Sequence, residues 1–189
     1  MHYLRKARLL KIILPLLLTY AFVEVAWGIV YPVYAIYVKN IGGSIEHAGF
    51  ANALYCLSAG ITSIIAGKIE NSYKRFSKYF LVLSSVVMSI LFTLYPFLKN
   101  IYQFFVIQAL QGVCSGFFWP MFDSVYSSVL PKNKQVEGWG VLDSTFYFAY
   151  MSGSALSGIV ASIFGVSSVF FIVGVCFALT SFIFLFLSN

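Results

Sequence analysis

The sequence predicts an all-α membrane protein: six transmembrane helices arranged as two inverted three-helix repeats. Three observations carry this. Of 189 residues, 60% are hydrophobic and only 10% charged, with a mean hydropathy of +0.89; a soluble domain is about 45–50% apolar and about 25% charged. Apolar runs long enough to cross the hydrocarbon core, which takes about 20 helical residues, recur six times. Lys and Arg also alternate between connections. Arg5, Lys6, Arg8, Lys11, Lys68, Lys74, Arg75, Lys78, Lys132 and Lys134 fall at the N-terminus and in the 2–3 and 4–5 connections, against Lys39 and Lys99 in the 1–2 and 3–4 connections.

The first helix is expected over Ile12–Val38. The basic stretch before it looks like the start of a signal peptide. No small-residue cleavage site follows promptly and the apolar run continues to Tyr37, so it reads as a retained helix. The second, Ala48–Ile69, carries Asn52 and the small residues Ala59, Ser63 and Gly67 at i+4 spacing. The third, Tyr79–Leu98, has no charged residue, and a tight turn at 96–100 leads into the fourth, Ile101–Leu130. The fifth, Gly138–Phe164, is rich in small residues: Gly153, Ser154, Ser157, Gly158 and Ala161. The sixth, Val166–Leu187, is again uncharged. Helices 1 and 4 contain interior prolines, Pro32 and Pro120; lipid tolerates these where a neighbour satisfies the freed carbonyl.

The helices differ in kind, in the order polar, small, greasy, then polar, small, greasy. Glu24, Asp123 and Asp143 lie on helices 1, 4 and 5. A charge at mid-bilayer costs about 2.5–3.5 kcal/mol, so such acids are expected to face a partner helix or a wet cavity. Small-residue faces, including Gly153, Ser154, Ser157 and Gly158, let helix backbones approach closely. A unit with an odd number of spans enters the membrane upside down the second time, which is the inverted-repeat plan of many transporters.

The +6 net charge does not indicate nucleic acid, because the basic residues sit in short connections and not on one soluble face. It fits topological signalling, both termini cytoplasmic in a multi-pass cell-membrane protein, plus attraction to anionic headgroups. Cys56, Cys114 and Cys176 lie in apolar runs without CxxC or a paired His, so neither metal nor disulfide is expected and they read as small buried hydrophobes. No HExxH, GxSxG or nucleotide loop occurs, and no His lies inside a span, so neither an enzyme nor a cofactor is expected.

Tyr20, Glu24, Trp27 and Tyr31 share one face of helix 1, and Gln108, Gln111, Ser115 and Trp119 make a similar stripe on helix 4. With Asn52 these form an expected substrate and proton cavity around a protonatable carboxylate; plain packing and interhelical hydrogen bonds are the alternative reading. Asp123, near the end of helix 4, reads as an ion-pair partner of Lys74 or Arg75 that closes the cytoplasmic side, and Asp143 as an acid near the start of helix 5.

These residues, taken together, resemble the N-terminal six-helix half of a major facilitator superfamily transporter of the drug/proton antiporter type. The stretch GKIENSYKRFSK at 67–78 is similar to the family's G-x-L-x-D-R-x-G-R-[RK] signature: Gly67, Ile69 and Arg75 match, Asn71 stands at the acid, Lys74 at the second glycine, and a one-residue deletion lets Glu70 supply the acid. IQALQGVCSG resembles the family's R-x-x-x-G run, with Gly112 in place and Gln108 at the arginine. GSALSG at 153–158 resembles G-P-x-x-G-G, with Ser154 and Ser157 as departures, and LPKNKQVEGWG resembles the 4–5 loop. The resemblance implies a cytoplasmic gate of Gly67, Glu70, Asn71, Lys74, Arg75 and Asp123, and transport of a small solute, with proton-coupled efflux as its form. A full carrier of this family has twelve helices, so a homodimer or a second six-helix half is expected alongside membrane lipid. The alternative is a non-transporting scaffold or truncated paralogue that binds another membrane protein.

Overall fold

Each apolar run must satisfy its backbone polar groups without water, and a helix does so within the segment. In the computed structural model the backbone is described for residues 2–73 and 76–186, and side chains for 12–72 and 76–186. The elements are α1 (His2–Asn40), α2 (Ile45–Tyr73), α3 (Ser77–Leu94), α4 (Ile101–Val129), α5 (Gln135–Phe164) and α6 (Val166–Phe186), with single 3-10 turns at Tyr95–Phe97 and Lys132–Lys134. All six are long and apolar enough to cross a membrane, and no strand occurs among the described residues. The chain is a multi-pass integral membrane protein.

Several helix ends differ from the hydropathy reading, each for a local reason. The start of α2 at Ile45, before Ala48, follows a reciprocal cap: the Ser44 N–H donates to His47 Nδ1 at 3.1 Å, and the His47 N–H to Ser44 Oγ at 3.4 Å. At its other end α2 runs past Ile69 to Tyr73, so much of the expected 67–78 loop is helix. Pro96 converts the end of α3 into a 3-10 turn before Leu98. Asn100 caps α4 by accepting from the Gln103 N–H at 3.0 Å. Gly165 has φ +83°, which lets α5 stop and α6 begin one residue later.

The most extensive contacts are α2 with α4 and α1 with α5, followed by α3 with α6, α1 with α6 and α3 with α4. Exchanging α1–α3 for α4–α6 turns the α1/α5 pair into α4/α2 and α1/α6 into α4/α3, so the packing has the symmetry of an inverted repeat. A short sequence match marks it: Gly28–Pro32 in α1 and Gly116–Pro120 in α4 are both G-x-x-x-P. Hydropathy patterning passes over that match. The symmetry fails at two places: α5 touches α6 whereas α2 and α3 scarcely meet, and α1 touches α2 whereas α4 and α5 scarcely meet.

Both major crossings are backbone-to-backbone. A Cβ on Gly28 would lie 2.3 Å from Tyr150 O, and one on Gly153 2.2 Å from Val25 O. Across the molecule, Gly112 and Gly116 of α4 approach Tyr55 O and Ala59 O at 2.3 and 2.6 Å in the same sense. Ser157 Oγ donates to Ile29 O at 2.6 Å and Ser154 Oγ to Gly28 O at 3.2 Å. Gly28 O is the carbonyl that Pro32, four residues on, leaves without its helical donor. Gly158 is a correction to the expected packing face: it is exposed, a Cβ added there would meet nothing within 4 Å, and it takes no part in the crossing. Gly67 also has nothing within 4 Å. Cys56 is exposed, contrary to the buried position expected, while Cys114 is buried.

Candidate functional site

A cavity of about 650 Å³ opens between α1, α2, α4 and α5, floored by the turn after α3. Its size is in the range of small-molecule sites. Seven expected residues line it: Glu24, Trp27, Tyr31, Asn52, Gln108, Gln111 and Trp119. Two do not. Tyr20 is buried behind the wall, against Trp119 at a ring distance of 5.8 Å and Phe122 at 5.3 Å. Ser115 is buried one layer out and accepts a hydrogen bond from the Tyr55 hydroxyl at 2.8 Å.

The helix period explains the placement of the rest. Glu24, Trp27 and Tyr31 fall one turn apart on α1, as do Gln108 and Gln111 on α4, so each helix presents one stripe. The aromatic lining is richer than hydropathy and spacing anticipate, adding Tyr34, Tyr55, Phe92, Tyr95, Phe146 and Tyr150. Four of these carried a usable signal: Tyr34 continues the α1 stripe, Tyr55 stands three residues beyond Asn52, and Phe146 and Tyr150 are four apart on α5. Tyr95 carried none, since it lies in the turn that Pro96 creates.

Tyr95 organises the floor. Its hydroxyl donates to Gln111 Oε1 at 2.8 Å and lies 3.3 Å from Gln108 Nε2, which donates to it; its carbonyl accepts from the Tyr37 hydroxyl at 2.7 Å. Its ring stacks on Phe170 of α6 at 4.3 Å. Two buried polar groups of the lining, the Tyr34 hydroxyl and Gln111 Nε2, have no hydrogen-bond partner among the described residues. Buried polar atoms without partners are rare and costly, so both suit a bound polar group or water.

Glu24 is 3% exposed, yet no hydrogen bond or ion pair reaches it among the described residues. Asp123 and Asp143 are exposed in the single chain, so only one of the three intramembrane acids is turned into the bundle.

Of the expected gate, Glu70 is buried and accepts from Ser124 Oγ of α4 at 2.6 Å and from Ser77 Oγ of α3. It joins three helices through hydroxyl groups. Asn71 is exposed on the last turn of α2. Lys74 and Arg75, the expected partners of Asp123, lie outside the described residues. No cluster of three or more His, Cys, Asp or Glu that could hold a metal ion occurs among the described residues.

Comparison with known proteins agrees with this architecture. The chain is 29% identical over 164 residues to a multi-drug resistance efflux pump PmrA homolog of Lactococcus lactis, covering 85% of this chain and 40% of that protein. It is 31% identical over 151 residues to the multi-drug resistance efflux pump PmrA of Streptococcus pneumoniae, covering 78% and 37%, and 27% identical over 164 residues to the multidrug resistance protein MdtG of a Rahnella strain, covering 82% and 39%. The chain thus spans about two fifths of the length of these relatives. The profile of the Major Facilitator Superfamily matches residues 16–189, nearly the whole six-helix bundle. The chain belongs to the Major Facilitator Superfamily.

Proposed function

We propose that this chain is one six-helix half of a secondary transporter that exports a small, largely apolar solute, with the aromatic cavity as its half of the binding chamber. The carrying observation is Glu24, a buried carboxylate on an aromatic cavity wall with no hydrogen-bond partner among the described residues. A carboxylate placed so can take a proton or a cationic group, and intramembrane acids of this kind mark ion and proton pathways. The efflux names of the relatives support the direction. A second six-helix unit, either another copy in parallel orientation or a partner half, closes the open side of α2 and α5, the least buried of the six spans. The Lys and Arg residues of the 2–3 and 4–5 connections support an orientation with both ends of the bundle on the cytoplasmic side.

Reconstituted full-length protein in proteoliposomes, loaded with ethidium as a cationic aromatic probe, tests this. Wild-type protein is expected to move ethidium when a pH gradient is imposed, and Glu24→Gln to reduce that flux to the level of empty liposomes. Gradient-driven flux unchanged in Glu24→Gln would remove the carboxylate from the mechanism. Absence of any flux, together with stoichiometric co-purification of another membrane protein, would replace transport with a scaffold role.

A further inference from the structure

We propose, building on the reading of the cavity as half of a solute chamber, that it selects solutes carrying a neutral carbonyl oxygen, held between the Gln111 side-chain N–H and the Tyr34 hydroxyl. Both residues line the cavity, both polar atoms are buried, and neither atom has a partner among the described residues. A buried donor without an acceptor is costly, so a ligand oxygen that accepts from it removes that cost. Tyr95 sets the polarity of the site. A phenol has one proton to give. Tyr95 gives it to Gln111 Oε1 at 2.8 Å and accepts from Gln108 Nε2 at 3.3 Å. The Gln111 carbonyl is thereby used, and its amide N–H is left over as a donor. The Tyr34 hydroxyl donates as well. Two donors call for an acceptor.

Helix geometry brings the two donors to one level. A Cβ on Gly43, just after α1, would lie 3.0 Å from Ile101 Cδ1, so the end of α1 and the start of α4 share one end of the bundle. Counted from Asn40 and Ile101, the helical rise puts Tyr34 about 9 Å from that end and Gln111 about 15 Å. Helical side chains lean toward their own N-terminus, so Tyr34 reaches away from that end and Gln111 toward it. Their supports meet as well: Tyr34 and Tyr95 both pack on the Phe104 ring, at 5.6 and 5.8 Å. Tyr95 is in turn stacked on Phe170, so the Gln111 amide is oriented before any ligand arrives. Among the described residues of the lining, Glu24 is the one with a charged side chain. A carboxylate ligand would meet no cation and a like charge, which leaves an uncharged oxygen as the acceptor. The rings of Trp27, Tyr31 and Tyr150 on the walls suit a flat aromatic body. An aromatic ketone combines the two features.

The test is equilibrium binding of fluorenone, and of fluorene, which has a methylene in place of the carbonyl, to the full chain in detergent. The infrared C=O stretch of fluorenone with an isotope-labelled carbonyl reads the hydrogen bond directly. Wild-type protein is expected to prefer fluorenone by about two- to ten-fold, the worth of one net hydrogen bond, and to move its C=O stretch to lower frequency than in protein-free micelles. Tyr34→Phe and Gln111→Met should each reduce both the preference and the shift. Tyr147→Phe, which removes an exposed hydroxyl of α5 outside the cavity, should change neither. Without ligand, Tyr34→Phe should melt no lower than wild type, because its hydroxyl has no partner to lose. Gln111→Met should melt lower, because Tyr95 loses its acceptor. Equal binding of the two probes, or full preference and shift in Tyr34→Phe, would overturn the assignment. So would an unshifted C=O stretch, which leaves the two donors to water alone, or a Tyr34→Phe protein that melts as low as Gln111→Met. The probes are neutral and no gradient is imposed. Lost ketone preference with intact gradient-driven ethidium flux therefore defeats this assignment alone, and retained preference without flux defeats the transport reading alone.

Discussion

The α1/α5 and α2/α4 crossings occupy equivalent places in the inverted repeat, yet they are held in different ways. Each has a G-x-x-x-P helix laid against a helix of small residues, with Gly28 against Tyr150 and Gly116 against Ala59. In the first crossing the proline's freed carbonyl, Gly28 O, accepts from Ser154, and Ser157 adds a second bond one residue on. The counterpart of Ser154 in the second is Ser63, whose backbone N–H lies against Gly116 as that of Ser154 lies against Gly28. No side chain among the described residues donates to Gly116 O, and Thr62 turns its hydroxyl back to Ser58 O of its own helix. The α2/α4 crossing gains its cross-helix bond elsewhere, from Tyr55 to Ser115 beside the cavity. One repeat thus uses hydroxyl groups to mend the helix, the other to support the cavity wall.

The largest expected effect tests what the crossings share. Gly28→Ala and Gly116→Ala each place a methyl group against a backbone carbonyl, at 2.3 and 2.6 Å, which no side-chain movement can relieve. Each should destabilise by about 1–3 kcal/mol, read as a lower melting temperature in detergent, with Gly28→Ala the worse. Equal tolerance of both would show that the crossings can slide apart.

A smaller effect separates the two. Ser154→Ala leaves Gly28 O without its donor and Ser157→Ala removes a buried bond, and each should cost about 0.6–1.7 kcal/mol. Ser63→Ala, which removes no cross-helix bond, should stay within about 0.5 kcal/mol of wild type. If Ser63→Ala costs as much as Ser154→Ala, the chemical asymmetry is wrong. The smallest effect is at Gly158. Alanine there meets open space and should leave melting unchanged within about 0.5 kcal/mol, the same measurement serving as the check. A marked loss would place Gly158 in a contact with a second unit.

Expectation and structure agree where the property is local to the helix. Six runs of apolar residues gave six helices, and one-turn spacing placed Glu24, Trp27 and Tyr31 on one cavity wall. They part where a neighbouring helix decides. Gly153 and Gly158 look alike within GSALSG, but they point to different sides of α5, and only Gly153 meets α1. Tyr20 continues the α1 stripe by spacing, yet at that level Trp119 and Phe122 close over it.

Length and hydropathy alone determined the number of spans and the all-helical class, because a bilayer demands a fixed apolar length and an internally bonded backbone. The same linear pattern set which faces carry polar stripes. Only the tertiary structure decided that Glu24 is buried while Asp123 and Asp143 are exposed, that Tyr95 builds the cavity floor, and that α2 stands off from α3. Those outcomes depend on how each helix is rotated against its neighbours. In lipid that rotation is selected by close packing and interhelical hydrogen bonds, which are pairwise properties that no single segment contains.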